Sequence, residues 1–165
     1  MRAARGHLDR RRVVGGVEWA VFPFLAGLFV LVTAAVQAGL GPVVAATIAE
    51  TDGAGAIGVA GLAIAATAAS NAMNNLPFAL LAGEGLRAAP SAGTPAVLAL
   101  LVGIDLGPSF TTIGSLATLI WILILRRRGI PVTALTYLRI AFLPALAALA
   151  GAVLALATVS ALAAH

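Results

Sequence analysis

The sequence contains no cysteine and no lysine. Without thiols there is no disulfide framework, no thiolate metal site and no cysteine nucleophile. The two histidines, His7 and His165, stand at opposite ends of the chain and cannot form a zinc-ligand spacing. Charge is scarce as well. Only 10% of the 165 residues are charged and 5% are aromatic, too little polar material to clothe a water-soluble domain of this size. A soluble enzyme is thereby excluded, and neither catalysis nor a cofactor is expected. Basic residues interleaved with aromatics are missing too, so the arginines behind the pI of about 11.4 read as topology control rather than as a nucleic-acid surface.

What the sequence does hold is apolar. Hydrophobic residues make up 61% of it, and the mean hydropathy is +1.07. The charges lie outside the apolar runs: five arginines fall in the first twelve residues and three more at Arg126, Arg127 and Arg128. This is how an integral membrane protein distributes charge, and an all-α membrane fold follows.

Along the chain, a basic segment at 1–12 precedes a membrane domain at 13–165. The first span covers 17–40, with Glu18 able to snorkel and Trp19 placed as an interfacial anchor. A secretory signal peptide is the competing reading of this start, but the apolar run exceeds the usual ~7–15-residue core of such peptides. Gly41-Pro42 then breaks the helix, and 43–50, closed by Glu50-Thr51-Asp52-Gly53, reads as a short interfacial helix. Residues 54–69 reach about 24 Å at about 1.5 Å per residue, short of a ~30 Å hydrocarbon core. A re-entrant hairpin over 54–82 is the resulting expectation, its tip formed by Ser70-Asn71-Ala72-Met73-Asn74-Asn75. The alternative is an ordinary extramembrane loop joining two helices. Residues 83–93 read as a loop in which Glu84 and Arg87 form a solvated pair.

The stretch 94–125 is interrupted at Leu106-Gly107-Pro108-Ser109. Asp105, Gly107, Ser109, Thr111, Thr112, Gly114 and Ser115 cluster there, and all suit an unwound, ligand-facing backbone. A broken helix is favoured over one helix merely bent at Pro108. Residues 135–162 form the last span, with Tyr137 and Arg139 as interfacial anchors near its start. If the N-terminal arginines are cytoplasmic, a hairpin that enters and leaves on one side returns Arg126–Arg128 to the cytoplasm, so both clusters obey the positive-inside rule and the C-terminus lies outside.

The tip SNAMNNLP, followed by GIDLGPSFTTIGSLATLIW, resembles the closing portion of the arsenical pump membrane proteins (ArsB). These belong to a wider ion-transporter superfamily with NhaD-type sodium/proton antiporters and dicarboxylate and citrate carriers. The second motif, with LGP, TxIGSLA and Trp121, is the more specific. The likeness covers about Glu18 to Val153. It implies one repeat of an inverted-repeat secondary transporter, in which a re-entrant hairpin and a broken transmembrane helix meet near the midplane. It carries the hairpin-tip positions to Ser70, Asn71, Asn74 and Asn75, and the break positions to Asp105, Gly107, Pro108, Thr111, Thr112, Gly114 and Ser115.

The resemblance further implies efflux of arsenite or antimonite across a prokaryotic plasma membrane. Hydrogen bonds to three hydroxyls would recognise the uncharged acid, and a proton or sodium ion would be coupled to its movement. Asp105, the only acid near the expected midplane, is the candidate proton carrier; equally, it could cap the second half-helix or hold the unwound turn without titrating. A full permease of this kind is more than twice as long, so a complementary N-terminal half, or a second copy of the chain, is expected as partner. Sodium/proton or organic-anion transport on the same scaffold is one alternative. A membrane assembly subunit or gene fragment without transport of its own is another.

Overall fold

The computed structural model describes residues 19–163. The basic segment 1–12, the start of the first span through Glu18, and residues 164–165 lie outside them. Helix α1 (Val21–Gln37) ends where Gly39 adopts φ +89°. There the N–H of Ala38 bonds to the carbonyl of Ala34 (2.8 Å) and that of Gly39 to Val36 (3.0 Å), a left-handed stop that only glycine adopts without strain. Helix α2 (Leu40–Gly53) departs from α1 at 72°. The break therefore precedes the expected Gly41-Pro42, because Pro42 sits in the first turn of α2, where a missing N–H leaves no bond unmade. Helix α2 packs against the rest of the protein. Ile48 has no exposed surface and Thr51 is buried, while Gly85 lets Val44 approach the next helix pair closely.

Helix α3 (Gly55–Met73) is 19 residues long, about 28 Å by the α-helical rise. It runs through Ser70-Asn71-Ala72-Met73 rather than stopping at Ala69, which makes it long and apolar enough to cross a membrane alone. The expected shortness of this arm is thus corrected. Its polar residues do not end it because their hydroxyls bond to carbonyls: Thr67 Oγ1 to Ala63 (2.8 Å), and Ser70 Oγ to Thr67 (3.2 Å) and to Gly103 (2.7 Å). The helix stops at Asn74, whose φ of +75° and ψ of +145° are incompatible with α-geometry. Helix α4 (Asn75–Ala88) then passes through the region expected to be a loop. Glu84 and Arg87 pair as read, 2.7 Å apart, but at i,i+3 on the helix surface.

Helix α5 (Thr94–Leu106) gives way to a 3₁₀ turn (Gly107–Phe110) and an irregular stretch at 111–114, after which α6 (Leu116–Arg127) begins. The interruption is a break, not a bend. At the far end of α6, Gly129 (φ +77°) closes a Schellman motif, with Gly129 N–H on Arg126 O and Ile130 N–H on Leu125 O, each 3.0 Å. Thr133 then caps α7 (Ala134–Ala163), its hydroxyl accepting from Thr136 N–H at 3.1 Å.

Among the described residues α3 and α7 are the helices long and apolar enough to span, and the bent pair α1–α2 makes a third candidate. The molecule is an all-helical integral membrane protein. Its centre is α3, packed on α5 and α7. Along the α3–α5 seam the contacts are small: Ala63 and Ala66 face Ala96, Ala99 and Gly103, all buried. A side chain at Gly103 would strike Ala66, and one at Gly107 would strike Ser70 and the Thr67 backbone. With no hydrophobic drive between helices in lipid, such close backbone approach is what holds them together.

Candidate functional site

The two interruptions meet. Asn74, at the α3–α4 junction, donates through Nδ2 to the carbonyl of Ile113 (3.0 Å), and the N–H of Asn75 donates to that of Gly114 (3.0 Å). Thr111 Oγ1 donates to Asn71 Oδ1 at 2.6 Å. Ser70, fully buried, ties α3 to α5 through Gly103. Gly114 is buried because its α-carbon passes against Pro108 and Asn71: a Cβ there would lie 2.7 Å from Pro108 Cα and 2.9 Å from Asn71 Oδ1. The C-termini of α3 and α5 and the N-termini of α4 and α6 thus converge on one place. Carbonyls and N–H groups that regular helices would pair internally are concentrated there.

The sequence-derived residues divide into two sets. Ser70, Asn74, Gly107, Pro108 and Gly114 are buried, and their polar groups or their lack of a side chain fasten one interruption to the other. Asn71, Asn75, Thr111, Thr112 and Ser115 are half-buried, and Asp105 is exposed. Among these, Asn75, Thr112 and Asp105 make no side-chain hydrogen bond to another described residue. The capping alternative for Asp105 is corrected: the N-cap of α6 is Ser115, whose Oγ accepts from Ala117 N–H at 3.2 Å. Asp105 lies in the last turn of α5, two residues before the 3₁₀ turn. Among the described residues no three His, Asp or Glu side chains gather to hold a metal ion.

Two participants were not read from the sequence. Gly103, four residues before Gly107, lets α5 approach Ala66 of α3, and that spacing was available as a signal. Tyr137, read as an interfacial anchor, sends its hydroxyl to the carbonyl of Ser109 inside the break, at 3.3 Å. Nothing in the local sequence marks that contact.

An all-helical membrane protein whose two interrupted helices buttress each other belongs with the integral membrane proteins built on discontinuous helices. The family model "Arsenical pump membrane protein" matches residues 3–159, and the chain belongs to that family. It is 28% identical over 136 residues to an arsenical pump membrane protein of Escherichia coli, covering 79% of this chain and 32% of that protein. The corresponding protein of Yersinia enterocolitica is similar to the same extent. An uncharacterized transporter of Mycobacterium bovis is 30% identical over 139 residues, 76% of this chain and 31% of that one. The chain spans about a third of the length of these relatives. No solved structure matches it significantly.

Proposed function

We propose that the chain forms one repeat of a secondary transporter that exports arsenite or antimonite, with the junction of the two interruptions as its share of the solute path. The observation that supports this most is the joining of Asn74–Asn75 to Ile113–Gly114. It fixes two unwound segments side by side and leaves the side chains of Asn75, Thr112 and Asp105 without a hydrogen-bond partner among the described residues. Arsenite near neutrality is an uncharged acid with three hydroxyls, so it is recognised by hydrogen bonds rather than by a strong field. An amide, a hydroxyl and a carboxylate supply donors and acceptors for it. Thiolate capture is closed to a chain without cysteine.

In this reading Ser70, Asn74, Gly107 and Gly114 hold the path's geometry, Asn71 and Thr111 brace each other across it, and Asp105 carries the coupling proton. A carboxylate on an apolar helix is retained in a membrane where it faces protein or water rather than lipid. The rest of the path comes from a complementary segment or from a second copy of this chain, in a prokaryotic plasma membrane with the N-terminus cytoplasmic. Arsenite uptake into everted vesicles tests the scheme. Asp105→Asn keeps hydrogen-bonding capacity but cannot titrate, so it is expected to abolish uptake driven by an imposed pH gradient and to spare downhill exchange. Unchanged gradient-driven uptake would remove the proton role. Uptake that follows an imposed sodium gradient instead would favour a sodium-coupled carrier on the same scaffold.

A further inference from the structure

Tyr137 is the sole tyrosine of the chain. It stands in the first turn of α7, a turn fixed by its own N–H on Thr133 O (3.0 Å) and by the Thr133 hydroxyl on Thr136. The ring is half-buried, and its hydroxyl donates to Ser109 O at 3.3 Å. Ser109 belongs to the 3₁₀ turn, where regular i to i+4 pairing has ended and carbonyls need outside partners. Further along α7, Phe142 meets Phe110 of the same turn edge to face, with centroids 5.8 Å apart and planes at 79°. Helix α7 therefore grips the turn at two consecutive residues, one by a hydrogen bond and the other by an aromatic edge. The segment that follows at once, Thr111 to Ser115, carries Thr112 and the carbonyls that receive Asn74 and Asn75.

We propose that Tyr137 is the positioning residue of the break: its hydroxyl, anchored on the rigid first turn of α7, sets the place of the Thr111–Ser115 segment through Ser109. The inference rests on the transport reading where it concerns solute affinity. The placement itself can be tested without transport. Phe110 and Phe142 supply bulk packing, whereas the hydroxyl supplies direction, since a hydrogen bond weakens steeply with misalignment.

The absence of native cysteine makes a labelling experiment clean. In membranes containing the full chain, a single Thr112→Cys is modified by a small water-soluble maleimide, and the rate is expressed per inserted chain. Adding Tyr137→Phe, which removes one oxygen and retains the ring, is expected to raise the rate about two- to twelvefold, the range that one net hydrogen bond contributes to a local opening equilibrium. Adding Phe142→Leu instead, which leaves the hydroxyl in place, is expected to leave the rate at the parent value. An unchanged rate in Tyr137→Phe, or an equal rise in Phe142→Leu, would overturn the proposal. In the transport assay, with Thr112 restored, Tyr137→Phe is expected to raise the half-saturating arsenite concentration while preserving the maximal rate. A fall in maximal rate alone would overturn the link to affinity. If the parent protein moves no arsenite, the transport reading fails, and labelling still decides the role of Tyr137.

Discussion

Asn74 and Asn75 are adjacent in sequence and opposite in circumstance. Asn74 is buried, its backbone lies at φ +75°, ψ +145°, and its amide is bonded to Ile113. A non-glycine residue in that sparsely populated region stores about 1–3 kcal/mol, which the surrounding structure must hold in place. Asn75 is half-buried and its side chain is unpaired within the described residues. Asn74→Leu is therefore expected to lower the amount of folded, inserted protein, because losing the buried amide leaves the Ile113 carbonyl unsatisfied at about 1–3 kcal/mol. Asn75→Leu is expected to leave that amount unchanged and, under the proposed function, to weaken arsenite transport by about tenfold, as for the loss of one hydrogen bond to the solute. Quantifying detergent-extracted monodisperse protein alongside vesicle uptake separates the two. The sequence showed that this cluster was polar and lay between two apolar arms. It could not show which asparagine turns inward, since both carry the same amide and the difference arises from carbonyls about forty positions away.

At the scale of elements, what could be read ahead depended on whether the stop signal was local. Gly107-Pro108 breaks α5 with its own backbone chemistry, and the break was legible. The end of α1 was misplaced by three residues, at 40 rather than Gln37, because both Gly39 and Gly41-Pro42 are plausible stops, and only the first adopts the left-handed conformation. Helix α4 extends into the expected loop as far as Ala88; the pairing of Glu84 with Arg87 was legible, but not that it falls along one helix face. The α3–α5 seam offers the sharpest test at this scale. Gly107→Val places a branched side chain against Ser70 and the Thr67 backbone, neither of which can yield without moving a helix. The expected loss is about 1–3 kcal/mol or more, as for overpacked cores, and it should appear as a lower thermal midpoint in detergent. The same change at Gly61, which has open space around its α-carbon, should have a smaller effect.

For the whole molecule, the all-helical membrane class was legible from composition and arginine placement, because bilayer insertion depends on those quantities directly. How α3 and α4 sit in the bilayer was not, because α3 proves long enough to cross while its end is buried against the break. The Arg126–Arg128 turn and α7 allow a firm expectation. Helix α7 is 30 residues long, about 45 Å at the α-helical rise and ample for one crossing. Reporter fusions after Gly129 and at the C-terminus should accordingly report opposite sides, with Gly129 cytoplasmic. Matching signals from both would show that α7 does not cross.

The bonds joining the α3–α4 junction to the break also impose an order in time. Asn71 and Asn74 find their partners 40 and 39 residues downstream. At about 5–20 residues per second of synthesis, those partners emerge roughly 2–8 seconds after the asparagines do. During that interval the amides at the end of α3 lack these partners, and in the bilayer water or other protein groups must satisfy them. A pause in translation between Asn75 and Gly114 would lengthen that interval, and it is expected to lower the yield of folded, inserted chain.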